Sequence, residues 1–107
     1  MTEQELLQTY RRDLHQIPEL DRDLPKTLAY VEARLAELGD ACNVLHPCES
    51  TICATFLPGG RGERGAGECS GTTAVRTDMD ALPVTERTGA PYASRHEGRM
   101  HACGHDG

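Results

Sequence analysis

The stretch Thr72-Thr73-Ala74-Val75-Arg76-Thr77-Asp78-Met79-Asp80-Ala81-Leu82-Pro83 couples a β-branched run to a pair of carboxylates. Residues 72–77 predict a strand, because threonine and valine suit a pleated surface. Pro83 cannot donate to a ladder and marks its limit. Asp78 and Asp80 are thereby delivered into a loop at the carboxyl end of a strand, where open α/β sheets place their chemistry.

The residues upstream supply the helices of an α/β class. Thr2 followed by Glu5 is a capping-box pattern, and Leu6, Leu7, Tyr10, Leu14 and Ile17 recur at helical spacing until Pro18. After a polar turn, Pro25 suits a first helical position, Leu28, Val31, Leu35 and Leu38 form one stripe, and Gly39 fits the residue past the end. Cys42 to His46 and Ile52 to Leu57 are strand-length runs around a turn, which predicts a β-hairpin. The expected order is two helices, a β-hairpin, and a further strand leading into the loop of Asp78 and Asp80.

Pro58 to Gly71 holds six glycines among charges and reads as a surface loop. Gly65, Gly67 and Gly71 do not make a dinucleotide fingerprint, since the last spacing is too long and a strand-like run follows instead of a helix.

Length and composition bound the function. A chain of 107 residues allows one compact unit at most, and with 4% aromatics and no Trp its core must come from small aliphatic side chains. Seventeen acidic against eleven basic residues give a formal charge of −6, which argues against nucleic-acid binding. Met1 to Asp13 lacks the apolar centre of a signal peptide and no run is long enough to span a bilayer, so a cytoplasmic protein without a membrane partner is expected. Cys42, Cys48, Cys53, Cys69 and Cys103 are odd in number and irregular in spacing, and read as thiols. For all but Cys103 the expected role is that of a small buried or partly buried hydrophobe.

Met100-His101-Ala102-Cys103-Gly104-His105-Asp106-Gly107 places a thiol and two imidazoles within five residues. Thiolate and imidazole suit zinc and its late first-row neighbours. In an extended segment, residues two apart point the same way, so Cys103 and His105 would converge on one ion with His101 on the same side. The bland alternative is an ordinary loop, just as Asp78 and Asp80 could be turn formers. A carboxylate beside a metal-bound imidazole can instead orient it and raise its basicity, a role open to Asp78 or Asp80.

The segment Arg76 to Pro83 resembles, nearly residue for residue, a motif of the M20 peptidase and aminoacylase family, in the subgroup of hippurate hydrolases and auxin-conjugate hydrolases. Met100 to Gly107 resembles that subgroup's second motif, with Glu86, Ser94 and Gly98 between them similar to its intervening pattern. Leu14-His15-Gln16-Ile17-Pro18-Glu19-Leu20, with Thr27 and Leu38-Gly39, is similar to its opening signature.

The resemblance implies the amino-terminal part of a zinc-exopeptidase-like catalytic domain over residues 1–107, with the lid or dimerisation domain lying elsewhere. It implies Cys103 and His105 as metal ligands and Asp78 as an orienting aspartate, in a site of two divalent ions drawn from Zn, Mn, Co and Ni. His101, Asp80 and Asp106 are possible supports. Arg76 stands where the wider family has a metal-binding His and is not taken as a ligand.

No general base is expected within these residues, and His15 is given no chemistry beyond packing or capping. The implied reaction is hydrolysis of the amide bond of an N-acyl amino acid or small peptide conjugate by a full-length, homodimeric form. Two other readings stand beside it: a non-catalytic fragment that binds metal weakly, and a hydrolase using Cys103 as nucleophile with His101 or His105 as base. Nucleophilic cysteines usually draw their base from distant sequence, which disfavours the last.

Overall fold

A computed structural model describes residues 1–56 and 71–107. The first helix, α1, spans Glu3–His15. Its amino end is closed by the expected capping box: the Glu5 N–H donates to Thr2 Oγ1 at 3.2 Å and the Thr2 N–H donates to Glu5 Oε2 at 2.7 Å. The Gln16 N–H turns back to Asp13 and Leu14 carbonyls, and Pro18, fully buried, prevents continuation.

The second helix, α2, spans Pro25–Ala36 and has Pro at its start as the sequence predicts. Its cap residue, Leu24, supplies no side-chain acceptor. Glu19 fills that role from outside the helix, its carboxylate accepting from the Lys26 N–H (3.2 Å), the Thr27 N–H (2.7 Å) and the Thr27 hydroxyl (2.8 Å). A negative group at a helix amino end also complements the macrodipole. The helices meet where the Tyr30 hydroxyl donates to Asp13 at 2.7 Å and the Tyr10 and Tyr30 rings pack edge to face. Burial, then the Asp13 carboxylate, pushes the Tyr30 hydroxyl pKa up.

Gly39 adopts φ +56°, which a side chain would oppose, and opens a short 3-10 turn, Gly39–Ala41. Strand β1, Cys42–Leu45, then pairs antiparallel with β2, Cys53–Phe56, Cys42 facing Phe56 and Leu45 facing Cys53. The predicted hairpin is present. Its outer end at Leu57, the glycine-rich loop up to residue 70 and Cys69 lie outside the described residues. Of the other cysteines only Cys42 is buried, whereas Cys48 and Cys53 are exposed, contrary to expectation. The reason is that nothing described packs over that part of the two-stranded ribbon.

The predicted third strand does not form among the described residues. Residues 72–77 have no ladder partner, and Val75 is 89% exposed. β-branched side chains give propensity, but a strand exists only by pairing. The pairing in this half is a single antiparallel bridge, in which Leu82 and Met100 exchange N–H to O bonds of 2.9 and 3.0 Å.

The buried centre is mostly polar. Leu24, Cys42, Ala81 and Pro18 are its apolar members, while His15, Glu19, Thr27, His101 and Asp106 are buried with them. Both helical stripes stay partly open, with Leu7 66% and Leu38 48% exposed.

Because Glu19 is buried and holds three donors, Glu19→Ala is expected to cost about 1.5–3 kcal/mol, visible as a lower urea midpoint at unchanged slope. Thr2→Ala, which opens only the exposed capping box, should cost about 1 kcal/mol or less. Equal losses in the two variants would contradict the buried cap as the stronger restraint.

Candidate metal centre

Backbone bonds bring the two motif loops together on the segment that leaves α1. The Ala81 N–H donates to the Glu19 carbonyl at 2.7 Å, and the Arg95 N–H donates to the Gln16 carbonyl at 3.1 Å. The Leu82–Met100 bridge then ties the Asp78–Asp80 loop to the start of the His101–Asp106 loop.

Within this frame His105 Nδ1 lies 3.0 Å from both the Asp80 carbonyl and Asp80 Oδ1. Both are acceptors, so Nδ1 carries the hydrogen. With the hydrogen held on Nδ1, Nε2 is the ring nitrogen through which a metal would be bound. Gly104, at φ +89°, allows the turn in which the Gly107 N–H donates to the Gly104 carbonyl at 3.1 Å. Cys103 immediately precedes that turn and is exposed.

The segment is therefore bent, and the side chains do not alternate as an extended run would. His101 turns inward, 5% exposed, and neither of its ring nitrogens finds a partner among the described residues. Burial holds its pKa below the ordinary imidazole value, opposed by the Asp106 carboxylate. Asp78 forms an exposed ion pair with Arg76 at 2.8 Å. The carboxylate that holds His105 is Asp80.

Asp106 is 3% exposed and accepts at 2.7 Å from His15 Nδ1, not from His105. His15 Nε2 lies 2.9 Å from Glu86 Oε1. Each nitrogen of the His15 ring therefore meets one carboxylate oxygen, and the ring bridges the two acids. Its ring also packs edge to face on Tyr92 at 5.7 Å. Glu86 receives the Ser94 N–H at 2.9 Å and the Thr88 hydroxyl as well. Burial raises its pKa, but these two bonds and His15 outweigh burial and hold it below the ordinary carboxylate value.

Sequence reasoning missed the work of His15, Glu86 and Glu19. No local signal could show it, since the His15 bonds span 91 and 71 residues.

A thiol and an imidazole presenting Nε2 are donor types that suit a late first-row divalent ion. They do not complete a set: among the described residues no three His, Cys, Asp or Glu side chains stand together so as to hold an ion.

Residues 74–107 match the family described as Peptidase family M20/M25/M40. The whole chain is similar to the N-acetyldiaminopimelate deacetylase of Streptococcus pneumoniae, 44% identical over 103 residues, 95% of this chain and 25% of that protein. The chain belongs to the M20 family. The Streptococcus thermophilus enzyme of the same name is 44% identical over 97 residues, 90% of this chain and 24% of that one. A Bacillus subtilis crystal structure, described as a dinuclear metal binding peptidase from the M20 family, superposes with a TM-score of 0.76 at 36% identity, covering 95% of this chain and 26% of that one. The M20 chain thus spans about a quarter of the length of the curated relatives it matches. Its own described α-helices and strands are two helices followed by a two-stranded antiparallel sheet, and no described helix is long and apolar enough to cross a membrane.

The depressed Glu86 pKa has a defined consequence. Its contribution to stability is fully present above the ordinary value of 4.5 and is lost as pH falls through the lower folded value. Denaturant midpoints between pH 7 and pH 3 should fall in the native chain and fall less steeply in Glu86→Gln. Equal slopes would show that Glu86 takes no part in acid unfolding.

Proposed function

We propose that the chain forms part of a metal-dependent hydrolase that cleaves the amide bond of an N-acyl amino acid or small peptide conjugate. The observation that carries this reading is the His105 ring, held through Nδ1 by Asp80 so that Nε2 is the remaining ring nitrogen, two residues along the chain from the exposed Cys103. The deacetylase relatives and the dinuclear peptidase support the substrate class and the divalent ions.

In this reading Cys103 and His105 hold metal, Asp80 fixes the His105 tautomer, and Asp78 is a further orienting carboxylate. Bound ions of this kind lower the pKa of a coordinated water and polarise a carbonyl oxygen. Residues of this chain contribute the ligand geometry, and the chemistry also needs a general base within hydrogen-bond reach of that water. The described residues offer no such base beside Cys103 and His105, so the remaining ligands and the base belong to other parts of a working site. We propose a cytoplasmic location and a homodimeric full-length form.

A second reading, a metal-binding module without turnover, is favoured by the absence of a three-donor cluster among the described residues. The two separate by experiment. Equilibrium dialysis of the 107-residue chain against Zn²⁺, Mn²⁺ and Co²⁺ should show binding that Cys103→Ala and His105→Ala each weaken. Asp80→Ala should weaken it about 10–100-fold. Hydrolysis of a benzoylglycine-type substrate that Cys103→Ala abolishes would overturn the module reading. Metal binding indifferent to Cys103 and His105 would overturn both.

A further inference from the structure

We infer that His15 is a positioning residue for the metal-ligand loop, acting through Asp106 on the direction in which His105 presents Nε2. This rests on the reading of His105 as a ligand. His15 itself touches neither Cys103 nor His105.

Three observations support the role. His15 sits at the last residue of α1, 4% exposed, so its ring is fixed by the helix and by the Tyr92 packing. Its Nδ1–H donates at 2.7 Å to Asp106, the neighbour of His105 in sequence, and that side chain is fully buried. The turn carrying Asp106 and His105 is otherwise closed by one backbone bond, from the Gly107 N–H to the Gly104 carbonyl. Asp80 sets the rotation of the His105 ring, whereas the Asp106 anchor sets the backbone from which that ring hangs. The Glu86 contact on Nε2 holds the second nitrogen of His15 and keeps the imidazole from turning away from Asp106.

The two sides of the imidazole can be separated by substitution. Asparagine places an N–H donor near the position of Nδ1 and keeps the bond to Asp106; glutamine places one near Nε2 and keeps only the bond to Glu86. In the metal-free 107-residue chain, long-range ¹H–¹⁵N spectra should show His15 protonated on both nitrogens and His105 as the Nδ1–H tautomer, opposite to free histidine.

His15→Gln should return His105 to the free-histidine mixture and weaken Co²⁺ binding about 10–100-fold, with altered visible bands. His15→Asn should preserve both the tautomer and the spectrum. Asp106→Asn, which keeps an acceptor, should behave like His15→Asn, and Asp106→Ala like His15→Gln. Far-ultraviolet circular dichroism identifies the temperature at which each variant is folded.

Retention of the Nδ1–H tautomer and of the Co²⁺ spectrum in folded His15→Gln would overturn the proposal, as would a free-histidine pattern for His105 in the native chain. If Cys103→Ala leaves Co²⁺ binding unchanged while His15→Gln still shifts the tautomer, the ligand reading fails and the positioning role stands.

Discussion

One imidazole held between two buried carboxylates is the constraint on which this structure turns. His15 joins the end of α1 to Glu86 and to Asp106, which lie 71 and 91 residues further along the chain. Two carboxylates meet on this one ring, and the Arg11 guanidinium, 3.8 Å from Asp106, stands over them from the surface. Burying such groups costs several kcal/mol per ion, roughly, unless geometry and extra hydrogen bonds compensate. Here the compensation comes from the Thr88 hydroxyl and the Ser94 N–H on Glu86. The consequence is directional. An apolar contact tolerates sliding, whereas each of these bonds demands one partner at one distance, so the network fixes where the loops rest on the helix.

The same logic extends along the segment leaving α1. Gln16 and Glu19 give their carbonyls to Arg95 and Ala81, and the Glu19 side chain caps α2, so one short irregular stretch serves three other parts of the chain. Its rigidity follows from Pro18, fully buried and fixed in φ. The apolar contribution is small by comparison. Leu6, Leu7, Leu45 and Phe56 remain open to solvent, and the aromatic pair Tyr10 and Tyr30 joins the helices at their edge. Among the described residues, specificity therefore comes from directional buried hydrogen bonds more than from area removed from water, even though both His101 ring nitrogens and Asp106 Oδ1 have no partner there.

What the sequence made legible follows the range of the interactions. The capping box of Thr2 and Glu5, Pro25 at the start of α2 and the turn between Cys42 and Phe56 are decided within a few residues, and each appears where the pattern placed it. The M20 motifs were legible for the same reason, being short and contiguous. Residues 72–77 were misjudged because pairing is a property of two segments, and Cys48 and Cys53 because burial depends on what covers a ribbon. His15 looked like packing near a helix end, since its partners are far away in sequence. The convergence of His101, Cys103 and His105 assumed an extended backbone that Gly104 at φ +89° does not keep.

That bend explains why the orienting groups are placed as they are. Side chains on strands or helices inherit their directions from regular structure, but Cys103 and His105, the ligands we propose, sit in a bend and a turn without it. Preorganisation must then be imported, because a ligand held loosely loses affinity through the entropy of ordering it. Two imports are visible. Asp80 offers His105 both a carbonyl and a carboxylate, and Asp80 is itself held because the next residue, Ala81, is buried and bonded to Glu19. From the other side Asp106 is anchored in the His15 network. Both supports end on the same few residues past α1, so the loop carrying Asp80 and the loop carrying His105 share one foundation. The shared anchor keeps the two loops in register, and with it the Nδ1 contact on which the proposed ligand role of Nε2 depends.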